Sequence, residues 1–187
     1  MKRLILLRHS VRQDKNKTPE SDCSITEEGI SLAQSVGREL RARTGEQTVK
    51  IFCSPYRRTV ETSFAIAGAF ETKSFEVLPE LAETLLVEFN NVDNISLPPS
   101  LSCYLTANGI PVPEPMANFT SRMQRFIDRM EQENVENVIA VTHRGPLERL
   151  ASTIVDDWRH SYVGYCEYLI FEKSTKGPAS AAWHLVC

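Results

Sequence analysis

The chain has 187 residues, 42% of them hydrophobic and 24% charged, with a formal net charge of −3. A chain of that length suits one domain over residues 1–187, because it can bury roughly 70% of its unfolded surface and needs no disulfide or metal to fold. The composition excludes a disordered protein, apolar runs such as Leu4 to Leu7 fall far short of the ~18 residues of a membrane span, and the mildly acidic balance excludes a strongly basic nucleic-acid footprint.

Met1-Lys2-Arg3 resembles the start of a signal peptide, but the apolar run ends in Arg8-His9 and no small-residue cleavage site follows. The five cysteines, Cys23, Cys53, Cys103, Cys166 and Cys187, are odd in number and scattered, with no CxxC. That pattern argues against a disulfide framework or a zinc ribbon and for a reducing, cytoplasmic location.

In chain order, Arg3 to Leu7 is a short apolar run and predicts a buried strand. Lys15 to Ser24 is polar and predicts a surface loop. Thr26 offers an N-cap, with Glu27 and Glu28 well placed against the helix dipole. Ile30, Ala33, Val36, Gly37 and Leu40 follow at helical spacing, so a helix runs to about Arg43, with Gly45 just past its end. Val49 to Cys53 predicts a second strand, broken by Ser54-Pro55 and followed by a helix from about Arg57 to Phe70. Phe75 to Leu78 predicts a third strand.

The stretch 83–115 is different. It holds Pro98, Pro99, Pro111, Pro113 and Pro115 and sustains no periodicity, so it is expected to be a long lid. Its apolar residues, Leu85, Leu86, Phe89, Leu97, Leu101, Tyr104 and Leu105, suit a lid packed on a small core of its own better than a surface for an apolar leaving group. From Met116 the spacing Met116, Phe119, Met123, Ile127, Met130 predicts an amphipathic helix. Val138 to Val141 predicts a fourth strand, and Pro146 suits the first turn of a helix lined by Leu147, Leu150 and Ile154. Tyr165 to Phe171 and Ala182 to Val186 predict a terminal hairpin. This alternation implies an α/β fold, a three-layer α/β/α sandwich with a mostly parallel sheet and an antiparallel edge.

In such folds ligands bind outside the carboxyl ends of the strands. Here those ends carry Arg8-His9-Ser10-Val11-Arg12, then Ser54-Pro55-Tyr56-Arg57-Arg58, then Leu81-Ala82-Glu83, then Thr142-His143-Arg144. Taken singly, a strand-end arginine is usually solvated, a histidine usually structural and a glutamate nearly always exposed. Four strands delivering compatible groups to one edge change that weighting. Guanidinium groups grip phosphate oxygens in pairs and stay charged. An imidazole is a nucleophile at neutral pH when its tautomer is fixed. A carboxyl group in a partly closed site can protonate a leaving oxygen.

These segments resemble the histidine phosphatase superfamily, the phosphoglycerate-mutase-like fold. The family's Arg-His-Gly appears as Arg8-His9-Ser10, its Leu-Thr-x-x-Gly as Ile25-Thr26-Glu27-Glu28-Gly29, and its Ser-Pro-x-x-Arg as Ser54-Pro55-Tyr56-Arg57-Arg58, followed by Glu61-Thr62. Its Leu-x-Glu appears as Leu81-Ala82-Glu83, and the context of its second histidine as Val141-Thr142-His143. The resemblance implies that His9 is the nucleophile that becomes a phosphohistidine. It further implies that Arg8, Arg58 and His143 hold the phosphate, and that Glu83 is the proton donor, with Glu80 the close alternative. Arg12 is a fourth candidate phosphate ligand. Arg12 with Asp14 also occurs in the acid phosphatase branch, but the resemblance implies the first branch, because Arg144 follows His143 where the acid phosphatase branch carries an aspartate as its proton donor. The motifs are closest there to the ecdysteroid-phosphate and T-cell-signalling phosphatases.

Two departures stand out. Ser10 replaces the usual glycine, with a hydroxyl able to bond locally, and Pro115 follows Glu114 where some relatives carry a Glu-Ser pair. The expected activity is hydrolysis of phosphomonoesters with no cofactor and no metal, on a phosphorylated small molecule or a phosphoprotein. No nucleic acid and no membrane is expected as partner, and a homodimer is left open. The alternatives are a phosphomutase, disfavoured because the mutase-specific Arg-Arg-Ser-Tyr-Asp stretch is absent, and a weakly active interaction protein on the same fold. A cysteine phosphatase built on Cys53 and Arg58 is rejected because the loop between them is a residue too short, and a zinc site at His9 and His143 is disfavoured by the neighbouring arginines.

Overall fold

Six strands and five helices make up a computed structural model that describes residues 2–13, 23–70, 74–85, 97–155, 158, 162–173 and 183–186. The strands are β1 (Lys2–Arg8), β2 (Val49–Cys53), β3 (Glu76–Val77), β4 (Asn137–Thr142), β5 (Tyr168–Lys173) and β6 (His184–Leu185). The helices are α1 (Glu27–Thr44), α2 (Arg57–Ala67), α3 (Pro99–Ala107), α4 (Met116–Gln132) and α5 (Arg144–Ile154). Among the described residues they form one sheet in the order β3-β2-β4-β1-β5-β6. The first four strands are parallel, and β5 and β6 add the expected antiparallel edge.

The three layers follow from residue alternation. Leu4 and Leu6 of β1, Phe52 of β2 and Val138 and Ala140 of β4 face α4 and α5, joining Phe119, Met123, Phe126, Leu147 and Leu150 in one core. Ile5, Leu7, Ile51, Cys53, Ile139 and Val141 face the opposite side, against Ala33, Val36 and Leu40 of α1 and Ile66 of α2. Strands buried on both faces read as continuous apolar runs rather than alternating ones, which is how they stand in the sequence.

Local signals place the helices. Thr26 caps α1 by accepting from the Gly29 N–H at 3.0 Å, Glu27 and Glu28 fill the first turn, and Gly45 closes the helix at φ 60° with its N–H on the Arg41 carbonyl. α4 buries Phe119, Met123 and Met130 as expected, and adds Phe126 and Arg122, whereas Met116 is exposed. The expected lid is not without regular structure. α3 begins at Pro98-Pro99, where proline suits a first turn. It buries Leu105 alone, so it carries no apolar stripe that periodicity could detect. Leu105, Ile110 and Leu85 cluster with Tyr56 and Ala82, with Leu97 and Leu101 against them, which is the separate small core the sequence suggests. Leu86, Phe89 and most of the predicted loop from Lys15 lie outside the described residues.

Gly29, in the segment that opens α1, is required by close packing. A side chain there would bring its Cβ to 2.5 Å from the Val11 carbonyl oxygen and 3.3 Å from Ser10 Oγ. The first turn of α1 therefore presses on the loop that follows β1, and the Ser10 hydroxyl donates to the Gly29 carbonyl at 2.7 Å. Gly29→Ala is expected to destabilise the fold by about 1–3 kcal/mol, because backbone must move to admit the methyl. Denaturant midpoints at unchanged slope would measure it.

Candidate active site

Strand register assembles the site. Arg8 pairs with Thr142 across β1 and β4, and Cys53 with Val141 across β2 and β4. The ladder continues one residue past the strand ends: the His9 N–H donates to the Thr142 carbonyl at 2.9 Å and the Ser54 N–H to the Val141 carbonyl at 3.0 Å. His9, Ser54 and His143 thus leave three adjacent strands side by side. The Leu78 N–H bonds the Cys53 carbonyl at 2.8 Å, and a short 3-10 turn, Pro79–Leu81, then delivers Glu83 to the same edge.

The contacts are direct. The His9 and His143 rings meet edge-on with centroids 5.3 Å apart. Arg58, fully buried, donates from Nη2 to His143 Nδ1 at 2.9 Å and lies 3.5 Å from Glu83 Oε2. Glu83 Oε2 is also 3.5 Å from His143 Nδ1, and its Oε1 accepts from the Thr84 N–H at 2.9 Å. A Cβ on Gly145 would sit 2.0 Å from Thr84 Oγ1, so a small residue there lets the start of α5 approach Glu83 and Thr84 closely. No such contact is made by the Glu80 side chain, whose backbone carbonyl instead accepts from Arg122.

Hydrogen bonding fixes both imidazole tautomers. His9 Nδ1 is 2.8 Å from the Ser10 carbonyl oxygen, which can only accept, so Nδ1 carries the proton and Nε2 keeps a lone pair. His143 Nδ1 receives the Arg58 guanidinium, so its proton sits on Nε2 and is donated to Ser54 Oγ at 2.7 Å. Burial comes first and the Arg58 charge second in lowering the His9 pKa to about 3, with Arg8 and Arg12 adding to the same effect. The same burial, then Arg58, holds His143 well below its ordinary range.

Arg8 leans on the segment before β5. Its Nη1 donates to the Val163 carbonyl at 2.7 Å and the Tyr162 hydroxyl at 3.2 Å, and its guanidinium lies 4.3 Å from the centre of the Tyr165 ring. Arg12 is half-buried beside Ile25 in an isolated bridge, and its charge acts on both histidines. Glu61, of the Glu-Thr pair after the arginine motif, accepts from the Ser24 hydroxyl and the Ile25 N–H, pinning that bridge to α2. Arg57 is exposed and paired with Glu61, so it belongs to the helix surface.

Three aromatic residues of the site were not singled out as such by sequence reasoning. Tyr165 lies 5.5 Å from the His9 ring, Tyr56 lies 4.8 Å from the His143 ring, and the Tyr162 ring is flanked by the guanidiniums of Arg8 and Arg144. Tyr56 also belongs to the small lid core, so it joins lid and site. Cys53 is no nucleophile here: it is buried, and burial raises its thiol to about 12. Cys166, at φ 60°, is likewise raised to about 11 by burial. Among the described residues no three His, Cys, Asp or Glu side chains are grouped so as to hold a metal ion. Among the described residues no helix is long and apolar enough to cross a membrane.

Two histidines, a buried arginine and a carboxylate thus meet at the carboxyl edge of a mostly parallel α/β/α sheet of the phosphoglycerate-mutase-like type. A sequence profile described as the histidine phosphatase superfamily (branch 1) matches residues 4–185, and the chain belongs to that family. Solved structures agree in fold. A mycobacterial glucosyl-3-phosphoglycerate phosphatase is 17% identical with a TM-score of 0.71, covering 100% of this chain and 97% of its own. The ecdysone phosphate phosphatase of Bombix mori, in complex with tungstate, is 18% identical with a TM-score of 0.66, covering 100% and 92%. The protein histidine phosphatase SixA, also with tungstate, is 13% identical with a TM-score of 0.68, covering 99% and 94%. No curated protein sequence matches the chain. Membership of that family supports a hydrolase acting on phosphomonoesters.

Because both imidazoles are neutral when folded and ordinary (about 6.5) when unfolded, the unfolded chain takes up protons that the fold refuses. Their contribution to stability is complete above about pH 6.5 and is lost as pH falls toward the depressed folded values. The ring signals of His9 and His143 should therefore stay at their neutral positions by NMR down to at least about pH 5, while Tm declines over the same range. A midpoint near the free-histidine value for either ring would contradict the geometry.

Proposed function

We propose that the protein hydrolyses phosphomonoesters by two in-line displacements through a phosphohistidine on His9. The observation that carries this reading is the His9 tautomer: a buried neutral imidazole whose Nδ1–H is held by the Ser10 carbonyl, leaving the Nε2 lone pair for attack on phosphorus.

The incoming phosphate dianion meets Arg58, Arg8 and Arg12, whose charges spread over its oxygens as they develop in the transition state. His143 holds Arg58 on the same oxygens, its Nδ1 accepting from that guanidinium while its Nε2–H donates to Ser54 Oγ. In the first step the His9 Nε2–phosphorus bond forms, the phosphorus–oxygen bond of the ester breaks, and Glu83 gives its proton to the leaving oxygen. In the second, water attacks phosphorus and loses a proton to the Glu83 carboxylate, the phosphorus–nitrogen bond breaks, and His9 regains its lone pair as inorganic phosphate departs. Three arginines supply the positive charge that a divalent cation supplies in other phosphoryl-transfer sites.

The proteins of similar fold include an ecdysone phosphate phosphatase, a glucosyl-3-phosphoglycerate phosphatase and a protein histidine phosphatase. For this chain we take the substrate to be a phosphorylated small molecule or phosphoprotein, its leaving group seated beneath the lid that Tyr56 joins to the site, in a cytoplasmic setting.

His9→Ala should lower turnover of p-nitrophenyl phosphate by at least about a thousandfold, since both ring nitrogens of His143 are already bonded, to Arg58 and Ser54, and cannot take its place. Glu83→Gln should slow an alkyl phosphate by about 10²–10⁴ and p-nitrophenyl phosphate much less, because the nitrophenolate leaves without help from an acid. Steady-state assays on the two substrates check both. Retention of wild-type turnover by His9→Ala would falsify the nucleophile assignment.

A further inference from the structure

Arg122, on α4, is fully buried, and the proposed reaction gives it no task. Its guanidinium uses all five N–H donors within the protein. Nε and Nη2 each donate at 2.8 Å to the two oxygens of Glu114, itself fully buried, forming a bidentate pair. Nη1 donates to the carbonyls of Glu80 at 2.7 Å and Ala82 at 2.9 Å. Nη2 also donates to the carbonyl of Glu83 at 3.1 Å. One planar group therefore grips three carbonyls in the four-residue stretch 80–83 that carries the proposed acid.

That stretch overlaps the single 3-10 turn Pro79–Leu81 after a two-residue strand, with the Leu81 and Ala82 N–H groups returning to the Leu78 and Pro79 carbonyls, and its chain continues directly into the lid. The Thr142 hydroxyl adds one bond to the Leu81 carbonyl at 2.8 Å, from the strand that delivers His143. At the far end of the lid, the Glu114 N–H returns to the Leu85 carbonyl at 2.8 Å, so the carboxylate that orients Arg122 is tied to the base of the same segment.

A buried ion pair is poor support for stability, because its desolvation penalty can exceed its Coulombic gain. Its use lies in geometry: a guanidinium fork has fixed directions, and carbonyls bonded to it cannot drift. We propose that Arg122, oriented by Glu114, is a positioning residue that fixes the backbone under Glu83 and so aims its carboxyl group at the leaving oxygen. This rests on the reading of Glu83 as the proton donor.

The test is a double-mutant cycle read on two leaving groups. Arg122→Lys keeps the charge opposite Glu114 but replaces the fork with a point ammonium of three donors, too few for five acceptors. It should slow an alkyl phosphate by roughly tenfold to a hundredfold, as a small misplacement of a reacting group does. It should lower p-nitrophenyl phosphate turnover by no more than about threefold, and in a Glu83→Gln background it should cost nothing further on the alkyl phosphate. Glu114→Gln, which loosens the fork from the other side, should repeat the pattern and serves if Arg122→Lys does not fold. Equal losses on both substrates, or losses that multiply with Glu83→Gln, would mean that Arg122 only holds the fold together and would overturn the proposal. If Glu83→Gln itself slows both substrates alike, the fault lies in the acid assignment, and the positioning role goes with it.

Discussion

The parallel register of β1, β4 and β2 is the constraint on which the site depends. Arg8 opposite Thr142 and Cys53 opposite Val141 mean that three chains cross the same edge within one residue of each other. The ladder then runs one bond further, through His9 and Ser54. A shift of one residue in either pairing would turn His9 or His143 toward a helix layer, because successive side chains face opposite sides of the sheet. The apolar cores on both faces prevent that shift, since it would exchange the two sets of strand residues now packed against α1 and α2 or against α4 and α5. Core packing and catalytic geometry are in this sense one specification.

Around that frame the polar groups are held in pairs of opposite demand. Arg58 keeps its charge in a fully buried position and spends one donor on His143, which must then be neutral at Nδ1. The two imidazoles are neutral because burial and positive neighbours both penalise a proton there. A phosphate dianion is the kind of ligand such a site lacks, since its charge offsets the arginines. Removing two ions from water costs several kcal/mol each, so the second buried pair, Arg122 with Glu114, is better understood through the three carbonyls it aligns than through stability.

Much of this was legible in the sequence because it is local. Arg8-His9, Ser54-Pro55 and Thr142-His143 stand at or just past a strand end, and Leu81-Ala82-Glu83 follows β3 by a single 3-10 turn, so identifying the strands located the groups. The Thr26 cap, the Gly45 end and the terminal hairpin are equally short-range signals. What escaped was set by tertiary contact. α3 buries a single residue and has no stripe to read. Arg122 is not among the apolar positions whose spacing predicts α4, and it is buried by its pairing with Glu114, which lies outside that helix. Tyr162 and Tyr165 are distant in sequence from Arg8 and His9 and meet them because β5 pairs with β1. Ser10, a departure from the family's glycine, proved compatible with the loop because its hydroxyl finds the Gly29 carbonyl and its N–H finds Thr62 Oγ1.

The central claim is that the phosphoryl group rests on His9 between the two displacements. Single-turnover rapid quench with a labelled phosphomonoester and excess protein tests it most directly, followed by mapping of the labelled residue. The account predicts a transient phosphoryl-protein, labile to acid and stable to base, with the label on His9. Label on any other residue, or phosphate released with no labelled protein at any time in the turnover, would contradict it.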